Sequence, residues 1–386
     1  MDREFDCVIF GAGVAGTSAA YRLASLGRRV VVLAGDRAGS PTGSPTQPPI
    51  CTGGVSPAVA KLLDFDLTPA IDCVVRDVRY AWKDDAPVSM QLDAAQAMWM
   101  VRRDRFDALL RDKAIAAGAT FEPVTAKGAR LVEVEGDRRW CVKTPAGELT
   151  AAFAIVADGA RSTALRWVGL PRPTVRSAVS LELAAPPDEV PRVDFVLGEI
   201  DRGFLWCFPK QGAVSLGAAT FIGEGDPELA DRLVAYAARR GWQAEKANVR
   251  QRPIALWSGD RVLNAERALV AGDAAGLSDP VTAEGIRSAI DSGLQAGAAI
   301  GAALDGQTGA LRGYTRQIQQ TWGTDYAWAS RLAQALYRFP GAAYKLATQK
   351  RKASQLMSKV LCGELRYSEV VELGIAKLMK KLLPWE

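Results

Sequence analysis

The chain has 386 residues, of which 48% are hydrophobic and 24% charged, and its formal net charge is +5. This length and composition are typical of a folded protein of two or three packed units, and no apolar run reaches the ~20 residues of a membrane span. Histidine is absent, which removes the commonest general base and the commonest metal ligand, so we expect no zinc or other metal site.

The cysteine pattern and the N-terminal residues both indicate in which cellular compartment the protein is expected. Six cysteines are scattered along the chain without a CxxC pair, which is typical of reduced thiols in the cytoplasm. The first residues, MDREFDCVIFGAG, run directly into an apolar segment and a glycine-rich turn without a basic stretch. We therefore expect no signal peptide and a cytoplasmic protein.

The first predicted unit is a strand, a glycine-rich turn, a helix and a second strand. An apolar run at 5–10 leads into GAGVAG, a helical pattern reaches residue 26, and RRVVVL follows. Gly11 permits the tight turn, Gly13 lets a pyrophosphate approach the backbone, and Gly16 lets helix and strand pack closely. We predict that Gly11, Gly13, Ala15 and Gly16 bind a nucleotide cofactor; a purely structural glycine turn is the alternative.

The second strand lacks the acidic residue that usually binds the ribose hydroxyls of such a nucleotide. Counted from Gly11, that acid is expected at Ala34, and the nearest carboxylate is Asp36. Either Asp36 takes this role, or water or the backbone does. The Pro-, Ser- and Gly-rich stretch at 38–49 is predicted to be a loop, and a short helix is predicted to begin near residue 56 or 57.

The middle of the chain changes from helical to strand-like periodicity. A helix is predicted over 103–117, strands at 130–134, 140–144 and 153–157, a β-rich segment over 177–221 and a helix over 227–241. A buried strand at 268–270 runs into GDAAG and a helix over about 282–304, and after residue 312 only helices are predicted, broken at Pro340 and Gly363.

These patterns predict an α/β fold with a Rossmann-type nucleotide-binding domain, an inserted antiparallel β-sheet domain and a helical C-terminal extension. The nucleotide-binding domain is expected to be discontinuous, over 1–75, 101–175 and 255–305. The β-rich substrate domain is expected over 76–100 and 176–254, and the helical region over 306–386.

A second glycine-rich motif, GDAAGLSDPVTAEGI, joins a strand to a helix. Asp273 can accept hydrogen bonds from a ribityl chain, and the backbone N–H groups near Gly285 and Ile286 can face the pyrimidine ring of a flavin. The partial positive charge of the helix N-terminus favours the negative charge of a reduced flavin. Gly272 and Pro280 complete the predicted cofactor-binding set from this motif.

The stretch GFLWCFPK places Phe204, Trp206 and Phe208 at alternate positions. Because alternate residues of a strand point to one face, the three rings form an aromatic wall, and Pro209 is predicted to end the strand. The wall either binds a ligand or is ordinary sheet core. Lys210 either meets an anionic headgroup or is a surface lysine.

These motifs, in this order, resemble the FAD-dependent oxidoreductases that include aromatic hydroxylases, flavin halogenases and geranylgeranyl reductases. RRDRFDALL is similar to the family's Arg-x-x-Phe-Asp helix, which implies that Arg103 contacts the FAD phosphate or ribose; otherwise it is a solvated charge at a helix start. VADGARS resembles the family's Asp-Gly motif and implies that Asp158 lies near the cofactor. The resemblance implies FAD as the cofactor.

Two stretches resemble the geranylgeranyl reductase branch in particular. PPICTGGVSP is similar to its Pro-Cys-Gly-Gly-Gly-Leu-Ser-Pro loop with Thr52 in place of the first glycine, and GFLWCFPK is similar to its Tyr-x-Trp-x-Phe-Pro motif. The branch implies reduction of isolated C=C bonds in the prenyl chain of a lipid, quinone or pigment. It implies that Phe204, Trp206, Phe208 and Pro209 bind this substrate. Cys51 is either its catalytic proton donor or a small buried residue, and NADPH or ferredoxin is the external reductant.

Two other functions stay open at this point. One is an FAD-dependent monooxygenase, hydroxylase or halogenase-like, acting on an aromatic or polyene compound. Halogenases rely on a lysine near the flavin, and the absence of lysine between Met1 and Ala60 argues against that chemistry. The other is a non-catalytic flavin- or lipid-binding protein, which the substitutions at Ala34, Thr52 and Phe204 keep in consideration.

The C-terminal segment is basic and has apolar residues at helical spacing. From Arg338 to Glu386 it carries ten Lys and Arg against four Glu. Such a segment can lie on an anionic membrane at the cytoplasmic side, or its helices can pack on the FAD domain. We expect a prenylated lipid or isoprenoid as the partner, and no nucleic acid.

Overall fold

The computed structural model describes residues 3–35, 52–83, 85, 87–93, 96–185, 191–223, 225–349 and 351–373. The strands are β1 (Glu4–Phe10), β2 (Val30–Leu33), β3 (Gly54–Val55), β4 (Ile71–Val75), β5 (Asp77–Trp82), β6 (Val88–Gln91), β7 (Met98–Val101), β8 (Thr120–Glu122), β9 (Gly128–Val134), β10 (Asp137–Thr144), β11 (Gly147–Val156), β12 (Val175–Ala184), β13 (Val193–Leu197), β14 (Gly203–Lys210), β15 (Ala213–Thr220), β16 (Arg250–Ala255), β17 (Asn264–Ala265) and β18 (Ala268–Val270). The helices are α1 (Val14–Ser25), α2 (Arg103–Ala116), α3 (Leu229–Arg239), α4 (Ile286–Leu304), α5 (Ala310–Ile318), α6 (Thr324–Arg338), α7 (Pro340–Gln349) and α8 (Arg351–Leu361), followed by helical residues 367–373.

The first sheet carries the nucleotide-binding topology that the glycine-rich turn predicts. Its strand order is β17-β18-β11-β1-β2-β8, with β10 and β9 added beyond β11, and β1 lies between β2 and β11 and is parallel to both. Cys7, Val8 and Ile9 of β1 are completely buried, as the centre of a parallel sheet covered on both faces requires. The expected α/β fold is therefore present.

Helices α1 and α4 cover this sheet and pack against each other at very short range. Two glycines of α4 make the approach possible: a Cβ at Gly293 would overlap the carbonyl oxygen of Ala15, and one at Gly297 would lie 2.8 Å from the carbonyl oxygen of Ala19. A side chain at either position would force the helices apart, since packed interiors leave no room for added atoms. The glycines therefore fix the distance between the two helices.

The second sheet draws all its strands from 77–91 and 175–255, in the order β16-β12-β15-β14-β13-β5-β6. One face, with Leu205 and Leu216, packs under α3 with Leu233. The opposite face carries Phe204 and Trp206 and belongs to the main core of the protein. The division of the chain into domains stays a prediction.

A small third sheet, β3-β7-β4, brings residues 54–55 next to 98–101. The predicted helix start near residue 56 corresponds to a 3₁₀-helix over Pro57–Leu62, where the Ser56 hydroxyl accepts a hydrogen bond from the Ala58 N–H at 3.2 Å. This cap satisfies one of the free N–H groups at the helix start.

Two predicted boundaries were wrong. β14 does not end at Pro209 but continues to Lys210, because its pairing with β13 stops at Cys207 and the missing N–H of proline is tolerated on an unpaired side. α4 begins at Ile286 and not near residue 282, because the chain first forms a turn in which Ala283 has a φ of +61°.

The C-terminal region is helical, as predicted, and α6 and α7 are separated at Phe339, immediately before Pro340. Within the described ranges, no helix combines the length and the apolar character that crossing a membrane requires.

Candidate functional site

A cavity of about 1240 Å³ lies between the first glycine turn and the aromatic face of the second sheet. Pockets for one drug-sized ligand usually measure about 300–1,000 Å³, so this cavity is larger than such a ligand needs. Eleven of the predicted site residues line it: Gly11, Gly13, Ala15, Arg103, Asp158, Phe204, Trp206, Phe208, Asp273, Gly285 and Ile286.

The turn between β1 and α1 is shaped for close approach of a ligand to the backbone. Gly11 has a φ of +102°, and a Cβ there would lie 2.5 Å from the carbonyl oxygen of Ala157. A Cβ at Gly16 would overlap the carbonyl oxygen of Gly11, so Gly16 holds the helix against the turn and does not itself line the cavity. A Cβ at Gly13 would meet no described atom within 4 Å, which leaves this side of the turn open to a phosphate at the helix N-terminus.

Asp158 follows β11, and only one of its two carboxylate oxygens has a hydrogen-bond partner among the described residues. Its Oδ2 accepts hydrogen bonds from the N–H groups of Thr163 at 2.8 Å and Ala164 at 3.1 Å. Its Oδ1 is buried and has no hydrogen-bond partner among the described residues. Buried polar atoms are nearly always paired, so this oxygen fits a hydroxyl of a bound cofactor.

Arg103 begins α2 and is 9% exposed. Its guanidinium donates to both carboxylate oxygens of Asp107, at 2.8 and 2.9 Å, one helical turn further on. This bidentate pair fixes the orientation of the guanidinium at the cavity wall. The alternative of a solvated surface charge does not describe this buried, paired side chain.

Asp273 follows β18 and is held by Ser278 of the same motif and by Arg252 of the second sheet. Its Oδ1 accepts a hydrogen bond from the Ser278 hydroxyl at 3.1 Å, and its Oδ2 accepts one from Arg252 of β16 at 3.3 Å. The reasoning from sequence missed both partners. Arg252 carries no motif signal, and Ser278 lies within the second glycine motif but was not singled out.

Of the other predicted residues of the second motif, some line the cavity and some do not. Gly285 is the N-cap of α4 and lines the cavity together with Ile286. Gly272 lies behind the wall, where its N–H donates to the Ser292 hydroxyl at 3.0 Å. Pro280 is not among the lining residues, whereas its neighbour Asp279 is.

The end of β2 forms another part of the cavity wall. Ala34 lines it, together with Arg111 and Thr125. The predicted ribose acid Asp36 and the predicted proton donor Cys51 lie outside the described residues.

The aromatic wall faces the cavity and is built on glycines. Phe204, Trp206 and Phe208 are 6%, 8% and 8% exposed. A Cβ at Gly217 would overlap the indole of Trp206, and one at Gly54 would lie 2.5 Å from the ring of Phe208. Both rings therefore occupy the space that a side chain at Gly217 or Gly54 would need, as close approach to glycine permits.

A hydrogen bond fixes the central ring of this wall. The indole N–H of Trp206 donates to the hydroxyl of Thr52 at 2.8 Å, and both side chains are buried. Since a buried indole N–H needs a partner, Thr52 determines how Trp206 is oriented. Pro209 does not line the cavity, and Lys210 forms an ion pair with Glu182 at 2.6 Å.

The C-terminal region closes the cavity from a third side. Val360 and Leu361 of α8 line it. The Ser56 hydroxyl donates to the carbonyl oxygen of Cys362 at 2.7 Å, which attaches the end of α8 to the loop that follows Thr52. Burial raises the pKa of Cys362 to about 12, so this thiol is neutral at physiological pH.

The comparisons with known proteins identify the family of this architecture. The FAD binding domain family matches residues 73–319. A digeranylgeranylglycerophospholipid reductase 2 of Methanothermobacter thermautotrophicus is 28% identical over 320 residues, covering 78% of this chain and 79% of the relative.

Solved structures show the same fold. A geranylgeranyl bacteriochlorophyll reductase-like protein of Thermoplasma acidophilum superposes with a TM-score of 0.73 at 22% identity, covering 87% of this chain and 88% of that one. The flavin-dependent brominase Bmp2 superposes with a TM-score of 0.69 at 16% identity, covering 98% and 100%.

Proposed function

The chain belongs to the FAD binding domain family, and on that premise we propose that it reduces isolated C=C bonds in the prenyl chain of a lipid, quinone or pigment. It is an FAD-dependent oxidoreductase. The observation that carries the proposal is the continuity of one cavity from the glycine turn to the aromatic wall.

The residues of the cavity fit FAD. The open side of Gly13 and the N-terminus of α1 would take the pyrophosphate, the free Oδ1 of Asp158 a hydroxyl, and Asp273 the ribityl chain. The N-terminus of α4 at Gly285 and Ile286 would face the pyrimidine ring. When bound and reduced, FAD supplies hydride to a carbon–carbon double bond.

The aromatic wall would hold the substrate. A prenyl chain has no polar group to direct it, so its binding depends on apolar area, at about 25 cal/mol per Å². Phe204, Trp206 and Phe208 offer such a surface inside the cavity. An unactivated alkene is a poor hydride acceptor, so it must be held close to the flavin and away from water, which a buried wall achieves.

The reduction also needs a proton at the second alkene carbon. Cys51, which precedes Thr52 in the chain, is the donor that we propose from the sequence. Thr52 itself lines the cavity. The digeranylgeranylglycerophospholipid reductase relative supports a lipid-linked prenyl group as the substrate class.

The test is an anaerobic incubation of the purified protein with dithionite and geranylgeranyl lipids that differ in headgroup. We expect products heavier by two hydrogens for each reduced bond, detected by mass spectrometry. Protein that binds FAD but returns every one of these lipids unchanged would contradict the proposal. The variant Cys51→Ser should lower the reduction rate without changing the FAD content.

The monooxygenase alternative predicts a different outcome. The brominase-like fold is compatible with it, since flavin monooxygenation leaves few protein signatures. It requires oxygen-dependent consumption of NADPH and a product that gains an oxygen atom. Oxygen uptake with an aromatic or polyene compound, in the absence of lipid reduction, would favour this function over the reductase.

We also propose peripheral contact with an anionic membrane through the C-terminal region. Phe339 is 62% exposed between α6 and α7, beside Arg338, and Lys345 of α7 is exposed. An exposed ring flanked by cations is suited to a lipid–water interface. Sedimentation with phosphatidylglycerol vesicles should deplete the protein from solution, and Phe339→Ser should weaken this; equal sedimentation with neutral vesicles would contradict the electrostatic part.

A further inference from the structure

Three tyrosines of the C-terminal region surround the loop that follows the second glycine turn. Tyr326 and Tyr337 belong to α6 and Tyr367 begins the last described helical segment, and their exposures are 1%, 4% and 3%. Tyr367 donates to both carboxylate oxygens of Asp279, at 2.9 and 3.1 Å. Tyr337 donates to the carbonyl oxygen of Val281.

Asp279 connects Tyr367 to the backbone of this loop. Its Oδ1 also accepts hydrogen bonds from the N–H groups of Val281 at 2.7 Å and Thr282 at 3.1 Å. Its own backbone N–H donates to the carbonyl oxygen of Glu284 at 2.8 Å. The Asp279 carboxylate therefore fixes the conformation of the loop, and Tyr367 fixes the position of the carboxylate.

The loop held in this way forms part of the cofactor end of the cavity. Asp279, Thr282, Ala283 and Glu284 all line it, directly before Gly285. Ala283 has a φ of +61°, a backbone conformation that costs a non-glycine residue about 1 kcal/mol or more and persists only where the surroundings enforce it. The hydrogen bonds to Asp279 supply that enforcement.

We propose that Tyr367 is a positioning residue for FAD, which acts by holding Asp279 and through it the cavity-lining loop 279–284. The C-terminal region is then a part of the cofactor site. This role concerns cofactor binding and is independent of the substrate.

Because Asp279 is titratable, the proposed role of Tyr367 can be measured through the pH dependence of FAD binding. Burial raises its pKa to about 6, while hydrogen bonds from the Val281 N–H and the Tyr367 hydroxyl lower it. Loss of the tyrosine hydroxyl should therefore raise this pKa further. The charged and titratable groups that act on this cluster are Glu284 on the loop itself, Arg287 on α4, and the hydroxyls of Tyr326, Tyr337 and Tyr367.

The sign of the pH dependence follows from the hydrogen bonds. Those from Tyr367, Val281 and Thr282 are donated to the carboxylate, so they are strongest when Asp279 is ionised. FAD affinity should be constant above about pH 7 and should fall as the pH drops through about 6, where Asp279 takes up a proton. In a Tyr367→Phe variant this fall should begin at higher pH.

The experiment measures the Kd of FAD by quenching of flavin fluorescence between pH 5 and pH 8, with the full chain. Tyr367→Phe keeps the buried ring and removes only the hydroxyl. We expect its Kd at pH 7 to rise about tenfold, as loss of a hydrogen bond to a charged group implies, and its pH midpoint to move upward. A Kd within twofold of that of the parent protein, with an unchanged pH midpoint, would overturn the proposal.

Another tyrosine, on α1, provides a matched control. Tyr21 also donates its hydroxyl to a carboxylate, that of Asp64, at 2.5 Å, and does not line the cavity. Tyr21→Phe should leave the Kd and its pH dependence unchanged, and an equal effect there would overturn the proposal. A second variant, Asp279→Asn, cannot titrate, so its FAD affinity should lose the dependence between pH 5 and pH 7; a retained dependence would also contradict the proposal.

Discussion

The two ends of the cavity are constructed from opposite kinds of residues. At the proposed cofactor end, Gly11, Gly13 and Gly16 bring backbone to the surface, and a Cβ at Gly11 or Gly16 would collide with the carbonyl oxygen of a neighbouring residue. At the other end, the large rings of Trp206 and Phe208 supply the surface. The first end would recognise charge and hydroxyl groups through fixed dipoles, and the second offers only apolar area.

Because of this difference, we expect the two ends of the cavity to respond differently to substitution. A site made of backbone tolerates no added atom but needs few side chains. A site made of rings tolerates changes of shape and loses affinity in proportion to the area removed. Substitutions at the two ends should therefore differ in what they impair, and each of the following pairs tests that expectation.

The largest effect is expected from one added methyl group in the first glycine turn. Gly16→Ala places a Cβ onto the carbonyl oxygen of Gly11, so we expect loss of folded protein. Gly13→Ala adds the same methyl where no described atom lies within 4 Å; it should fold normally and bind FAD about 100-fold more weakly, because the methyl occupies the path of the pyrophosphate. Circular dichroism and FAD titration measure the two results, and equal behaviour of the two variants would refute the distinction.

At the aromatic end of the cavity, the second pair of variants changes two neighbouring residues on opposite faces of β14. Trp206→Ala removes part of the wall and should raise the KM for a prenyl lipid about tenfold, with the FAD content unchanged. Leu205→Ala lies under α3 and should lower the free energy of unfolding by about 2–5 kcal/mol without changing the KM. Urea unfolding and steady-state kinetics separate the two, and a KM effect from Leu205→Ala would show that the faces are not independent.

The smallest effect is expected from the hydrogen bond that orients the wall. Thr52→Val keeps the volume and removes the acceptor of the Trp206 indole N–H. An unsatisfied buried donor costs about 1–3 kcal/mol, so we expect a modest loss of stability. Because the indole then lacks the hydrogen bond that fixes its orientation, the positions of the reduced bonds in a multiply unsaturated lipid should become less uniform. Thr52→Ser, which keeps the hydroxyl, should restore the product pattern.

The sequence predicts the glycine-rich turns of the cavity because their determinants are local. The turns around Gly11 and Gly285 are each encoded within a few residues, and the alternation of Phe204, Trp206 and Phe208 suffices to place them on one face. The start of α4 was misjudged, since the turn at Ala283 depends on hydrogen bonds to Asp279 that a helical pattern does not reveal.

Contacts between distant parts of the chain could not be predicted. Thr52 and Trp206 are separated by 154 residues, and Asp279 and Tyr367 by 88. A threonine in a loop and a tyrosine in a helix carry no signal of a specific partner, since the partner is chosen by the packing of whole sheets and helices. The helical pattern after residue 312 accordingly indicates helices but not the cavity wall at Val360 and Leu361.

The close contact between α1 and α4 has a mechanical consequence. α1 starts at the first glycine-rich turn and α4 at the second, and Gly293 and Gly297 bring the backbones of the two helices into contact. The proposed sites for the pyrophosphate and for the pyrimidine ring therefore lie at the ends of two helices that are packed as one unit. We expect ligands to enter and leave past the second sheet or the C-terminal helices, and amides in α1 and α4 to exchange with solvent together.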